Sequence, residues 1–325
     1  MAKLKDKLKM ALDEGRMLVL GSQVLIGFQY RVVLEKGFEK LPESSKYLKL
    51  GALCLMLVAT ALLMSTGAFH RIVEEGEITE DTHTFTTKVL GMALLPFAFA
   101  FGIDAYVMTR HLMGYTPGLV AGVGMCAVTL FFWYGLEAIR RASHGHEGKE
   151  GSEMGKGGEK EGGGGAKLKD KIEQALTEAR VVLPGAQALL GFQFASMLVE
   201  GFEKLPNSSK YVHLASLFLM AVAIVLLMAP AAYHRIVEEG EESEHFHRVA
   251  SRMLIAAMIP LAAGICGDLF VVARKITESA TASIVIGGLM LLFFYGLWFG
   301  YTIYRRGRRE ASAQGAESNG RQFAS

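Results

Sequence analysis

The sequence is poor in residues that stabilise small secreted folds or build metal clusters. It has three cysteines, seven prolines and two tryptophans among 325 residues. Cys54, Cys126 and Cys266 all fall inside apolar segments at unmatched positions, so we expect neither a disulfide framework nor a cysteine metal cage. We interpret all three as small buried hydrophobic residues. A phosphate-binding glycine loop, an HExxH zinc motif, a CxxC pair and a nucleophile elbow are also missing, so nothing supports a soluble catalytic domain.

Neither sign of charge is in large excess. The 34 lysines and arginines nearly balance the 32 acidic residues, and the net charge of +2 gives no reason to propose nucleic acid as a partner. The first ten residues, MAKLKDKLKM, are basic and amphipathic, and no short apolar core with a small-residue cleavage site follows them. We therefore expect no signal peptide.

Long apolar runs are abundant. The chain is 51% hydrophobic with a mean hydropathy of +0.30, which is too apolar for an ordinary soluble domain of this size. Stretches such as Tyr47 to Phe69 and Met92 to Met108 are long enough to cross roughly 30 Å of hydrocarbon as helices. They lack the alternation of a barrel strand. The pattern predicts a helical membrane protein that is embedded in the lipid bilayer.

An internal repeat organises the chain. Segments recur with an offset of 164 residues and without gaps from about residue 3 to Arg110. The clearest matches pair KLKDK at 3–7 with 167–171, GFEKLP at 37–42 with 201–206, and HRIVEEGE at 70–77 with 234–241. A later match, Tyr-Gly-Leu at 134–136 and 295–297, has an offset of 161. It predicts that the second copy has lost about three residues between its third and fourth helices.

The repeat predicts an all-α, polytopic integral membrane protein with eight transmembrane helices in two parallel four-helix repeats. An even number of spans gives both repeats the same orientation, so a pseudo-twofold axis along the membrane normal should relate them as an intramolecular pseudo-dimer. The predicted segments are a first repeat at 1–141, a flexible Gly/Glu/Lys-rich linker at 142–166, a second repeat at 167–306 and a disordered polar tail at 307–325. The expected spans are 17–36, 47–70, 87–109 and 117–139, then 181–200, 211–234, 250–273 and 282–304.

Basic residues flank the repeats at their ends. They cluster at the start of the chain, at Arg140 and Arg141 after the fourth helix, and from Arg305 to Arg309 after the eighth. Because cytoplasmic segments carry an excess of Lys and Arg, we expect a multi-pass protein of the cytoplasmic (inner) membrane with both termini and the linker in the cytoplasm.

Polar residues inside the predicted spans are the first functional candidates. Asp104 and Asp268 recur in the third helix of each repeat, two turns after Pro96 and Pro260. Each carboxylate either carries a proton or cation, or is an interfacial acid paired with Arg110, Arg274 or a partner on the first helix. The first helices carry repeated glutamines that either join helices by hydrogen bonds or take part in transport. These glutamines are Gln23 and Gln29, with Gln187 and Gln193 as their copies.

A second candidate set lies near the helix ends. Thr79 and Ser243 suit N-caps of the third helices, and a Glu-x-x-His pair follows each of them. Two such pairs, with carboxylates from two other helices, hold metal in di-iron bundles. The metal candidates are therefore His70, Glu74, Glu80 and His83, with His234, Glu238, Glu244 and His247. Helix capping and surface ion pairs explain the same residues without metal. Histidines on neighbouring spans also allow a b-type haem, and the sequence predicts no particular cofactor.

The repeated strings GFQ, GFEKLP-x-SSKY and HRIVEEGE, followed by the Asp104 or Asp268 segment, resemble a bacterial family of small uncharacterised membrane proteins. Members resemble one half of this chain and are sometimes labelled sodium:proton antiporter-like. The resemblance covers nearly all of both copies and implies that the fused protein stands in for a homodimer.

Three hypotheses for the function follow. The first is a small proton- or cation-coupled transporter that uses Asp104 and Asp268. The second is a non-catalytic membrane subunit or scaffold that presents its apolar faces to other membrane subunits. The third is a metal- or haem-binding redox protein. The sequence indicates no enzymatic activity and no transported species.

Overall fold

The computed structural model describes residues 2–74, 79–135, 164–236 and 243–322, and all the secondary structure in these ranges is helical. The first half contains α1 (Ala2–Val33), α2 (Lys36–Glu39), α3 (Glu43–Ile72), α4 (Glu80–Met113) and α5 (Tyr115–Leu130). The second half contains α6 (Gly164–Met197), α7 (Glu200–Glu203), α8 (Asn207–Ile236), α9 (Glu244–Thr277), α10 (Ala280–Tyr295) and α11 (Tyr301–Gln322). Helices α1 to α5 thus correspond in order to α6 to α10.

Six helical segments in the described ranges are long and apolar enough to cross a membrane. They are Glu43–Ile72, Glu80–Met113, Tyr115–Gly135, Asn207–Ala231, Glu244–Thr277 and Ala280–Ser312. The sequence also predicted spans in α1 and α6, which are not among the six. These two helices carry the repeated glutamines and pack against each other between the halves. Polar residues along both helices, the repeated glutamines among them, lower their hydropathy.

The helix ends follow from local sequence. The side chain of Thr79 accepts a hydrogen bond from the Thr82 amide (3.1 Å), and Ser243 accepts one from the Phe246 amide (3.0 Å), which confirms both predicted N-caps. At the other ends of α4 and α9, Gly114 has a φ of 94° and Glu278 a φ of 53°. Both values lie in the left-handed region, which glycine adopts freely and glutamate does not. A residue with positive φ therefore ends the third helix of each half, and a connection of one or two residues leads to the fourth helix.

The alignment of the fourth helices of the two halves, α5 and α10, differs from the predicted alignment. Gly122 of α5 packs against Tyr106 of α4, and Gly287 of α10 packs against Phe270 of α9, which is the position equivalent to Tyr106. A five-residue π-helical turn follows each of these helices directly, at Phe131–Gly135 and at Gly296–Gly300. Both comparisons give an offset of 165 residues. The second copy has therefore gained one residue in this region, and the predicted loss of three residues is wrong. The Tyr-Gly-Leu match, with its offset of 161, aligns residues that lie about one helical turn apart in the two copies.

The C-terminal segment differs from the prediction as well. The sequence predicted disorder from residue 307, whereas α11 continues to Gln322. An Arg306–Glu310 ion pair of 2.9 Å, one helical turn apart, supports this helix. Arg309 also pairs with Glu74 at the end of α3 and so attaches α11 to the first half. Residues 142–163 of the predicted linker lie outside the described residues, and α6 begins at Gly164.

The two halves share a main hydrophobic core, whose buried residues come from both halves. A smaller cluster of Leu34, Phe202, Leu205 and Val271 also contains residues of both halves. Phe28 and Phe192, which are equivalent residues, face each other with ring centroids 4.5 Å apart. The Trp298 indole, which is fully buried, donates from Nε1 to the backbone oxygen of Ala61 across the interface (2.8 Å). Such contacts make the halves one packed unit.

Ion pairs join the halves at the end of the molecule that carries α2 and α7. Lys36 Nζ lies 2.5 Å from a Glu200 carboxylate oxygen, and Glu39 contacts Lys275 at 2.9 Å and Lys204 at 3.4 Å. Hydrogen bonding from Lys275, assisted by its charge and that of Lys204, lowers the pKa of Glu39. Hydrogen bonding from Lys36 likewise lowers the pKa of Glu200, and the same contact raises the pKa of Lys36. These groups are exposed, so solvent screens the attraction.

Candidate functional site

The first half buries a cluster of three polar side chains from three helices, which we call the first triad. Asp104 of α4 accepts at Oδ1 from Lys49 Nζ of α3 (2.6 Å) and at Oδ2 from Gln29 Nε2 of α1 (2.8 Å). Gln29 Nε2 also contacts Met56 Sδ at 2.8 Å. The Lys49 side chain is 6% exposed and the Asp104 side chain 27%. The first triad is therefore a largely buried ion pair supported by an amide.

The second half contains the second triad, formed by Asp268, His213 and Gln193. Asp268 of α9 contacts His213 Nδ1 of α8 through Oδ1 (2.9 Å) and accepts from Gln193 Nε2 of α6 through Oδ2 (2.6 Å). The other ring nitrogen of His213, Nε2, lies 3.1 Å from the Gln193 backbone oxygen. The side chains of Asp268 and His213 are each 5% exposed. This cluster is more deeply buried than the first.

The two triads occupy equivalent positions, because each of their three members is separated from its counterpart by 164 residues. The sequence prediction identified the aspartates and the glutamines but missed Lys49 and His213. A search for identical residues in the two copies passes over a lysine aligned with a histidine. A search for basic residues at equivalent positions would have found Lys49 and His213. Of the pairing partners considered for Asp104, the structure brings a residue of the first helix, Gln29, into contact with it. Arg110 instead donates to Ser44 and Tyr106, both at 3.0 Å.

Both triads lie well inside their helices. Asp104 is nine residues before the end of α4 at Met113, and Lys49 is six residues after the start of α3 at Glu43. With a rise of about 1.5 Å per residue, these distances correspond to roughly 14 Å and 9 Å along the helices. Charged groups at such depth in an apolar bundle are costly unless they are paired. Each triad supplies that pairing from helices that neighbour the aspartate's own helix.

One oxygen in each triad lacks a partner within the described part of the chain. Gln29 Oε1 and Gln193 Oε1 are both buried and accept no hydrogen bond there, although the amide nitrogens of both residues are engaged. A buried acceptor without a donor is unfavourable by about 1–3 kcal/mol. The two oxygens therefore offer places where water, a hydroxyl group or a cation would be stabilised next to a carboxylate.

The remaining glutamines are not part of the triads. Gln23 is fully buried at the contact between α1 and α6, where a Cβ added to Gly185 would lie 1.7 Å from Gln23 Oε1. Its copy Gln187 is exposed. The repeated glutamines thus divide into one pair that binds the aspartates and one pair that has diverged.

The metal candidates are not brought together in the described ranges. Glu238 and the side chain of His234 lie outside the described residues. Among the described side chains, no three of the His, Cys, Asp and Glu residues form a group that could hold a metal ion. Glu74 pairs with Arg309, while Glu80 and Glu244 are exposed. His70 instead lines a cavity of about 50 Å³ between the halves, together with Arg16 and Arg71. Among the described members of this set, an ion pair accounts for Glu74.

Six apolar spans, with two polar triads buried among their helices, define an all-helical, multi-pass membrane protein with two repeated regions. The model of a family of unknown function, DUF6328, matches residues 2–137 and again residues 165–302. The chain therefore belongs to this family and carries two copies of its unit in tandem. The family description names no activity and lends no support to the antiporter-like label. No curated protein and no solved structure matches the chain.

Proposed function

We propose that the protein is a small proton- or cation-coupled transporter, and that the two triads handle the transported charge. The observation that carries the proposal is the repeated burial of an aspartate against a base and an amide between apolar helices. Ionisable groups in membrane spans are rare and commonly belong to ion pathways or proton relays. A purely structural polar contact could be made by neutral side chains at lower desolvation cost.

The chemistry of the triads suits protons or hard cations. Each offers carboxylate oxygens and, next to them, an amide oxygen that has no donor among the described residues. Oxygen ligands of this kind favour hard cations, and a carboxylate beside a base can also pass a proton. We take the aspartates as the charge carriers and Gln29 and Gln193 as the residues that orient them.

Our proposal includes eight membrane-spanning helices in two parallel repeats about a pseudo-twofold axis. Helix α1 has 32 residues and measures about 48 Å, which exceeds the thickness of the hydrocarbon core. The equivalent residues Phe28 and Phe192 meet at the interface, as residues near a twofold axis do. With both termini in the cytoplasm, as the basic ends suggest, the triads lie toward the outer side of the inner membrane.

Proton flux into liposomes that contain the purified protein tests the proposal. We expect a pH-sensitive dye to report flux driven by an imposed ion gradient, and we expect the double variant Asp104→Asn/Asp268→Asn to abolish it. Asp81→Asn is a matched control, because Asp81 is an exposed acid in the first turn of the same helix as Asp104. Wild-type flux in the double variant would remove the aspartates from any transport role.

A membrane scaffold is the second candidate, and the outer face of α5 favours it. Only 11% of the most apolar window of the Tyr115–Gly135 span is buried in the structure. Val120, Val123 and Val128 are each more than half exposed on this helix. Such a surface contacts either lipid or another membrane subunit. Extraction in a mild detergent distinguishes the two, because a scaffold would remain in a larger complex of defined composition. The redox hypothesis has no comparable observation in its favour.

A further inference from the structure

The two triads differ in one residue, and this difference changes what each can do. The base beside the aspartate is Lys49 in the first triad and His213 in the second. An ammonium group keeps its proton throughout the physiological pH range, whereas an imidazole exchanges its proton within that range. We propose that the second triad is the proton-exchanging site of the molecule and that the first triad is a permanent ion pair. This inference rests on the proposed transport function.

The hydrogen bonds of His213 support exchange. One ring nitrogen faces the Asp268 carboxylate and the other faces the Gln193 backbone oxygen, so both nitrogens face acceptors. A protonated ring can donate to both at once, and the pair is then electrically neutral. A neutral ring beside a protonated carboxyl group retains both hydrogen bonds too. Loss of one proton from the pair to water breaks this balance, because a nitrogen lone pair then faces an oxygen and the pair carries one negative charge.

The titratable groups that the described structure places near this pair are uncharged. Tyr30 on α1 interacts with Asp268, Cys266 and Cys54 interact with Tyr30, and Tyr295 of α10 interacts with Cys266. All four are uncharged at neutral pH. Toward α7, the Phe202 ring packs edge-on against His213 with centroids 5.1 Å apart. The charge of the second triad therefore depends on protons that the triad itself binds.

The first triad has the same geometry with a fixed charge. The Lys49 ammonium lies 2.6 Å from Asp104 and is tethered to α3, so it occupies the position of an exchangeable proton donor without being released. The charge of Asp104 is consequently balanced by a side chain of the protein itself. Within the proposed transporter, the first triad therefore contributes a fixed charge and the second triad an exchangeable one.

Nitrogen NMR on histidine-labelled protein in lipid nanodiscs tests the site directly. We expect one histidine whose two ring nitrogens are both protonated at acidic pH and that loses a proton as the pH rises. The signal is assigned by its absence in His213→Asn and should shift in Asp268→Asn. It should not change in Asp104→Asn, the matched variant in the first triad. A His213 ring that stays singly protonated from acidic to alkaline pH would overturn the inference.

Exchanging the bases tests the functional part. His213→Lys should abolish proton flux in liposomes, since it converts the second triad into a copy of the first, which the fold already accommodates. Asp81→Asn, outside both triads, should leave the flux unchanged. Lys49→His in the His213→Lys background should restore the flux that His213→Lys abolishes. Retention of flux in His213→Lys with its loss in Asp268→Asn would refute the asymmetry and leave the transport proposal intact. An NMR titration of His213 in a protein without any flux would refute transport and leave the proton site intact.

Discussion

Removing one partner of the first triad should destabilise the protein, and removing both should largely restore it. Asp104→Asn leaves the Lys49 ammonium without its counterion while it remains buried, with 6% of its side chain exposed. Breaking a buried ion pair on one side costs about 3–5 kcal/mol. Lys49→Met leaves the Asp104 carboxylate instead, which is 27% exposed and still accepts from Gln29. Its cost should be smaller, about 1–3 kcal/mol, because water reaches that carboxylate.

The double variant Lys49→Met/Asp104→Asn carries no charge in the triad. The asparagine introduced by Asp104→Asn can still form an amide hydrogen bond with Gln29, and a methionine fills much of the volume of a lysine stem. Replacing a whole buried ion pair by neutral groups is often neutral or stabilising. The double variant should therefore lie within about 1–2 kcal/mol of the wild type, although the two single costs sum to more.

Equilibrium unfolding in mixed micelles with increasing fractions of a denaturing detergent measures these free energies. The second triad provides the comparison, because Asp268→Asn leaves a histidine that can discard its charge. Its cost should fall as the pH rises from 6 to about 9, whereas the cost of Asp104→Asn should stay constant over that range. A cost below about 1 kcal/mol for Asp104→Asn at neutral pH would mean that the Lys49 ammonium is hydrated and that the triad is not a buried pair.

Three further predictions concern the contacts between the halves. Gly201→Ala should destabilise the protein by about 1–3 kcal/mol, because the added Cβ would lie 2.1 Å from the backbone oxygen of Leu34. Gly37→Ala, at the equivalent position of the first half, is the control. A Cβ added there has no atom within 4 Å, so the free energy of unfolding should change by less than about 0.5 kcal/mol. Trp298→Phe should cost about 1–3 kcal/mol in the same unfolding assay, since it removes a buried hydrogen bond to α3 and leaves space beside a fully buried side chain. Glu200→Gln should reduce the loss of melting temperature on acidification. Because pairing with Lys36 lowers the pKa of Glu200, the stabilisation is complete above the ordinary glutamate pKa of 4.5 and is lost as the pH falls through the lower pKa of the folded state. An unchanged dependence of the melting temperature on acidic pH would contradict this contact.

The fold was largely predictable because hydrophobic length and self-similarity are properties of the sequence itself. The apolar runs, the offset of 164 and the caps at Thr79 and Ser243 indicated the main helices and their order. The extent of α11 was not predictable from composition. Its polar residues suggest disorder, and the contact that attaches it, from Arg309 to Glu74, joins positions far apart in the chain.

The site was predictable only in part. Asp104, Asp268 and the glutamines were found because a polar residue in an apolar span is conspicuous. Lys49 was passed over because it lies six residues from the start of a span, where lysines are ordinary. Which base faces which acid depends on how three helices rotate against each other, and periodicity alone does not specify that rotation.

The Lys36–Glu200 contact is made by two residues at the same position of the two copies. In a dimer of identical chains, that position would bring together two lysines or two glutamates, and like charges repel. Opposite charges at this position are possible only when the two copies have different sequences. Joining the two copies in a single polypeptide fixes their ratio at one to one and allows the two copies to differ in sequence. Each copy can then acquire substitutions that a symmetric assembly would have to accept twice, and the exchange of a lysine for a histidine beside the aspartate is one such substitution.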